Sequence, residues 1–252
     1  MRPLLLVSVV TLTLFATPLQ SADLFDRLGL KKGTESLSAL SQDQVMSGLK
    51  EALAKGVQQA VSNLGKTDGF LKDAGVRIPM PESLRKVERG LRAAGQAQLA
   101  DEFVTTMNRA GEQAVPEAAS VLADSVRQMT AADAKAIVTS TNTAATDYFR
   151  RTAETNLYAR FLPIVKKATE ATGVTAAYKR MTGKAGLGGL GSFGGLGGAS
   201  LNKDLLDLDG YVTRKSLDGL FMKIAEQEKL IRENPAARTT DLLQKVFGSA
   251  AK

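Results

Sequence analysis

The 252-residue sequence has no histidine, no cysteine and no tryptophan. Without an imidazole or a thiol it can form no Ser-His-Asp triad, cysteine nucleophile, disulfide framework, or zinc site built on Cys or His. Aromatic residues are scarce, at 5%, and they are not interleaved with basic residues as in a single-strand binder. Nucleic acid is therefore not the expected partner. No apolar run reaches the roughly 20 residues that a membrane span needs. Carboxylate, Lys and Tyr chemistry remain, but no residue pattern assigns a catalytic group, a metal ligand or a cofactor. What is present is an ordinary globular composition, 44% hydrophobic and 23% charged, enough to bury a core.

The N-terminus carries an address. Met1 and Arg2 open with positive charge, Leu4 to Ala16 are apolar, Pro18 breaks the run, and Ser21-Ala22 are small. This is the layout of a secretory signal peptide over residues 1–22. It predicts a periplasmic or secreted protein that starts near Asp23 and has no transmembrane segment after cleavage.

Helix signals dominate the rest. Ser41-Gln42-Asp43-Gln44 reads as a capping box, followed by Val45, Leu49, Leu53, Val57, Val61 and Leu64 at helical spacing, with Gly65 as the stop. Residues 66–80 read as a loop with Phe70, Leu71, Val76 and Ile78 as core plugs. Further helices are expected from Pro81 to Gly95, from about Gln96 to Gln113, from about Pro116, after a cap at Thr130 to Asp133, and from about Thr143. Pro163 predicts a kink or break, with Leu157, Phe161, Ile164 and Ala168 on one face across it. Beyond residue 200, Asp209 is expected to cap one helix and Thr239 to open the last.

Gly183 to Gly198 holds nine glycines in 16 residues, a composition that suits neither helix nor packed strand. The predicted architecture is an all-α bundle. Its main helical domain covers 23–182, a glycine-rich flexible linker or loop covers 183–200, and a C-terminal helical pair in 201–252 packs back on the main domain. Asp204, Asp207 and Asp209 do not have the spacing of a calcium loop.

Charge is unevenly placed. Between Arg150 and Lys184 there are eight basic residues against Glu154 and Glu170, whereas the rest of the mature chain is balanced. Arg160, Lys166 and Lys167 are the expected centre of an exposed cationic flank, suited to an anionic lipid surface or an envelope protein.

Several blocks together point to a family. The run LKEALAKGVQQAVSNLGKTDG (49–69), RIPMPE (77–82), MNRAGE (107–112), AATDYFR (144–150) and DLLQKVFG (241–248) resemble the exported bacterial proteins catalogued as domain of unknown function 4197. The likeness covers nearly the whole mature chain. It implies secretion and a helical fold and brings no activity. One departure is Gly111, where the resemblance leads one to expect a second alanine; another is a glycine-rich stretch longer than usual.

The main candidate constellation is on the third helix. Asp101, Thr105, Asn108 and Glu112 share a face, with Arg109 three residues before Glu112. The stripe reads as a solvated face or as a buried network joining helices and meeting Tyr148 and Arg151. Asp101 and Glu112 are about 16 Å apart along a helix, too far for an acid–base pair, so a hydrolase would need an acid such as Asp124 or Asp147 from another helix. The leading expectation is an exported non-enzymatic helical module that binds an envelope partner or anionic surface. The alternatives are a lipid or small-molecule carrier with an apolar pocket, and a carboxylate-based hydrolase.

Overall fold

Ser41 starts the first helix by reciprocal capping. Its Oγ accepts the Gln44 N–H at 3.2 Å, and its own N–H donates to Gln44 Oε1 at 2.9 Å, satisfying two donors at the helix entry. From there α1 runs over Gln42–Leu64 and ends at Gly65. Its buried edge is Leu49, Ala52, Leu53, Val57, Ala60 and Leu64, the stripe that the spacing predicts.

The computed structural model describes residues 41–140, 142–171, 173, 176, 177, 180, 207–238 and 240–249, all within one unit of the chain, 35–252. The signal-peptide reading of 1–22 and the glycine-rich segment 183–200 lie outside the described residues. After a loop, a short 3-10 turn at Glu82–Leu84 leads into α2 (Arg85–Ala93). Gly95, at φ +73°, reverses the chain, and the Gln96 N–H closes the turn on Leu91 O at 2.8 Å. Then come α3 (Ala97–Ala114), α4 (Ala118–Gln128), α5 (Ala131–Thr139) and α6 (Ala144–Ala171). The last described elements are α7 (Leu208–Glu233) and α8 (Asp241–Ser249). No strand occurs among the described residues, and the fold is all-α.

Two long helices form the spine. Glu228 meets Ala145 and Thr146, Arg150 lies over Phe221, and Thr169 donates to Asp209, a register that makes α6 and α7 antiparallel along nearly their whole lengths. α6 also packs on α3, α4 and α5, while α1 packs on α4, α5, α7 and α8. Phe103, Phe149, Phe161 and Phe221 fill the centre with almost no exposure; each such side chain contributes roughly 1.5–3 kcal/mol of burial.

Three expectations need adjusting. Of the kink or break expected at Pro163, the break is absent, and α6 continues through it; Ala159, whose carbonyl loses its usual helix donor, is exposed like Pro163, so water can reach that carbonyl. Val165 joins Leu157, Phe161 and Ala168 as the buried stripe, with Ile164 half-buried against the same core. Asp207, not Asp209, is the N-cap of α7, and Asp209 Oδ1 instead accepts the Thr169 hydroxyl at 2.6 Å.

Candidate functional site

The polar stripe of α3 divides. Asp101 is exposed and pairs with Arg92 at 2.7 Å, whereas Asn108 and Glu112 are buried. Their neighbour across the contact is the 66–80 loop, anchored by the fully buried Phe70 and Ile78. Such a loop brings backbone groups into the interior, and each needs a partner. Asn108 supplies them at one end: Oδ1 accepts the Ile78 N–H at 2.9 Å and Nδ2 donates to Ile78 O at 2.9 Å and to Val104 O at 2.7 Å.

Glu112 serves the other end. Its Oε1 accepts the N–H groups of Phe70 and Leu71 at 3.1 and 3.3 Å, and its Oε2 accepts from Arg109 at 2.7 Å. Arg109 also reaches Asp68 at 2.5 Å, and Asp68 takes Lys72 at 2.7 Å. These two cations hold the Asp68 carboxyl below its ordinary range, Lys72 foremost. They also anchor a residue whose φ is +68°, a left-handed conformation that Asp tolerates better than most residues. The α3 stripe is thus the buried polar network for Asn108 and Glu112 and the solvated face for Asp101.

A second clamp of the same design was not read from the sequence. Glu228 on α7 accepts the N–H groups of Ala145 and Thr146 at 2.9 and 3.0 Å and the Thr146 hydroxyl at 3.0 Å. It also holds Arg232 at 2.8 Å, which donates onward to Ile137 O at 2.9 Å. A carboxylate from another helix therefore occupies the positive N-terminal end of α6. The signal was there: Glu228 falls on the helical period of Leu217, Phe221, Ile224 and Ile231, all buried.

The remaining candidates lie apart. Tyr148 is buried and donates to Ser125 O at 3.1 Å; burial pushes its hydroxyl pKa above the ordinary value. Arg151 is exposed, 5.8 Å above the Tyr148 ring and 3.8 Å from Asp133. Neither makes a hydrogen bond to Asn108 or Glu112. Arg160, Lys166 and Lys167 are exposed on α6.

Space for a ligand is mostly at the surface. One apolar gap of about 20 Å³ lies among α1, the start of α6, α7 and α8, room for about one water molecule. An open groove of about 440 Å³ runs between the start of α1 and α5. A larger one, about 630 Å³, is lined by the 75–79 loop, α6 and α7. No cluster of three or more metal-ligating side chains occurs among the described residues.

The family described as protein of unknown function (DUF4197) matches residues 39–248. The chain belongs to this family. Four of the sequence blocks that carry the resemblance now have structural places in this DUF4197 chain. Residues 49–69 are the buried edge and exit of α1, 77–82 the loop that Asn108 grips, 107–112 the gripping segment itself, and 144–150 the helix start that Glu228 caps. No curated protein and no solved structure matches the chain.

Proposed function

We propose that this chain is an exported, non-enzymatic helical module that docks on an anionic envelope surface through the C-terminal half of α6. One observation carries the reading: Arg160, Lys166 and Lys167 are exposed and have no carboxylate partner among the described residues. Some other surface cations have one and some, such as Arg77, Lys86 and Arg89, do not; what sets the α6 group apart is that three such cations fall within eight residues of one helix. Lys55, Lys72, Arg85 and Arg92 each face an acid within 3.3 Å. No acid occurs in α6 between Glu154 and Glu170, and Leu157, Phe161 and Val165 turn inward, which leaves the cations outward.

Two features favour this reading over its rivals. The oxygens of Glu112 and Glu228 already accept backbone and arginine donors, so neither is available to a substrate. The apolar gap beside Glu228 holds only about 20 Å³, too little for a lipid chain, so that gap is not a carrier's pocket. The envelope assignment rests on the signal-peptide layout of residues 1–22.

Each basic residue near an anionic leaflet adds about 1 kcal/mol, so the three together give a weak, salt-sensitive contact. Co-sedimentation of the mature protein with vesicles of anionic and of neutral lipid, at low and physiological salt, tests it. Binding to anionic vesicles only, lost on replacing Arg160, Lys166 and Lys167 by Gln with unchanged helicity, is the expected result. Indifference to anionic vesicles at low salt would overturn the proposal and leave a protein partner as the better reading.

A further inference from the structure

We infer that the groove between the 75–79 loop, the first turns of α6 and the middle of α7 binds a short peptide with free termini. The groove is distinct from the cationic flank of α6, and its size suits a small ligand. Its walls are polarised along α7.

At one end are Arg150 and Lys215, on either side of Asp218 at 3.8 and 3.7 Å. Arg77 belongs to the same end. The loop runs beside α7 from Asp73, paired with Lys223 at 2.7 Å, to Pro79, whose carbonyl accepts the Tyr211 hydroxyl at 3.0 Å. Arg77, between them, comes level with the stretch around Lys215, and it has no carboxylate partner among the described residues. The Arg150 guanidinium is held 4.5 Å from the centre of the Phe221 ring and donates to Glu154 at 3.3 Å, which fixes its direction and leaves it only partly neutralised, because both residues are part-exposed. Asp218 is about half exposed and both of its contacts are long, so it neutralises this end only weakly and the three cations outweigh it.

At the other end stands Asp147. The pairings of Ala145 with Glu228 and of Arg150 with Phe221 place it level with Ala225. Asp147 is exposed, accepts only the Thr143 hydroxyl at 3.2 Å, and has no cationic partner among the described residues. Between the ends the wall is apolar: Val76, Phe221, Met222 and Ala225, with Met222 unusually exposed at 45%.

The two charged ends and the apolar middle fit one ligand in one orientation. A peptide carboxylate meets Arg77, Arg150 and Lys215, an apolar side chain covers Met222, and the peptide amine meets Asp147. The reverse orientation sets like charges together at both ends. Lys215 to Ala225 spans about 15 Å of helix, and an extended chain advances about 3.3 Å per residue, so four to five residues bridge the ends.

The test is titration of the isotope-labelled mature chain with the tetrapeptide Ala-Leu-Leu-Ala, followed by NMR and calorimetry. Saturable binding that shifts the resonances of Val76, Met222 and Ala225 is expected. Acetylating the peptide amine or making Asp147→Asn should each weaken it roughly fivefold, as should amidating the carboxylate or making Arg77→Gln. The acetylated peptide should lose nothing further on Asp147→Asn. Both substituted side chains are exposed, and circular dichroism checks that helicity is kept. Absence of saturable binding at millimolar peptide, equal binding of the doubly blocked peptide, or shifts confined to another surface would each overturn the inference.

Discussion

Asn108 and Ile78 are joined edge to edge: the carboxamide of Asn108 both accepts from and donates to the backbone of Ile78, each bond at 2.9 Å. A single side chain thus substitutes for the neighbouring strand that an extended segment would otherwise need. Asn108→Ala leaves two buried backbone groups of Ile78 without partners. The expected loss is roughly 2–4 kcal/mol, read as a lower urea midpoint together with faster exchange of the Ile78 amide.

Glu228→Ala should be costlier. It uncaps α6 and leaves Arg232, only 9% exposed in its side chain, as a buried charge without its partner. Breaking such a pair typically costs about 3–5 kcal/mol. In a thermodynamic cycle with Arg232→Ala, the double variant should lose clearly less than the sum of the singles. Additive losses would contradict the pairing.

Gly111 and Ser216 form a tight contact between α3 and α7. A Cβ at position 111 would lie 2.8 Å from Ser216 Oγ and 3.0 Å from Ile78 Cδ1, while the Ser216 hydroxyl makes no hydrogen bond among the described residues. Gly111→Ala should therefore destabilise by about 1–3 kcal/mol, despite alanine's better helix propensity. Adding Ser216→Ala should restore most of that, because the remaining close atom is the tip of a flexible side chain. A double variant as unstable as Gly111→Ala alone, by thermal melting, would refute this account.

Acid should loosen the 66–80 loop. Lys72 and Arg109 hold the Asp68 carboxyl below its ordinary value of 3.8, and Lys223, with help from the Gly75 amide, does the same for Asp73. A carboxyl depressed in the folded state contributes fully above its unfolded value, and that contribution disappears as pH falls through the lower folded one. NMR spectra should thus show the loop resonances changing below about pH 3.8, with the resonances of α1 less affected. Asp68→Asn with Asp73→Asn should remove the transition.

Much of the fold was legible because its signals are local. Ser41 and Thr130 name their own caps, and the buried period of α1 can be counted along the sequence. Pro163 misled because a proline at an exposed helix position leaves its orphaned carbonyl to water, which sequence spacing alone does not show. The sites were harder for a different reason. Asn108, Glu112 and Glu228 act on residues 30 to 83 positions away, and polarity on an otherwise apolar face was the only local trace. The departure at Gly111 proved informative: its missing Cβ is the space that Ser216 occupies.

The cap of α6 has a temporal consequence. Chains emerge from synthesis N-terminus first, and the residue that closes the start of α6 is made 83 positions later than the amide it accepts from. The 66–80 loop, by contrast, has its clamps within the next 30 to 42 residues. A growing chain can close that loop on α3 as soon as both are made, whereas the entry turn of α6 stays uncapped until α7 follows. Truncation before residue 228 should therefore leave the entry turn of α6 frayed, read as fast exchange of the Ala145 and Thr146 amides.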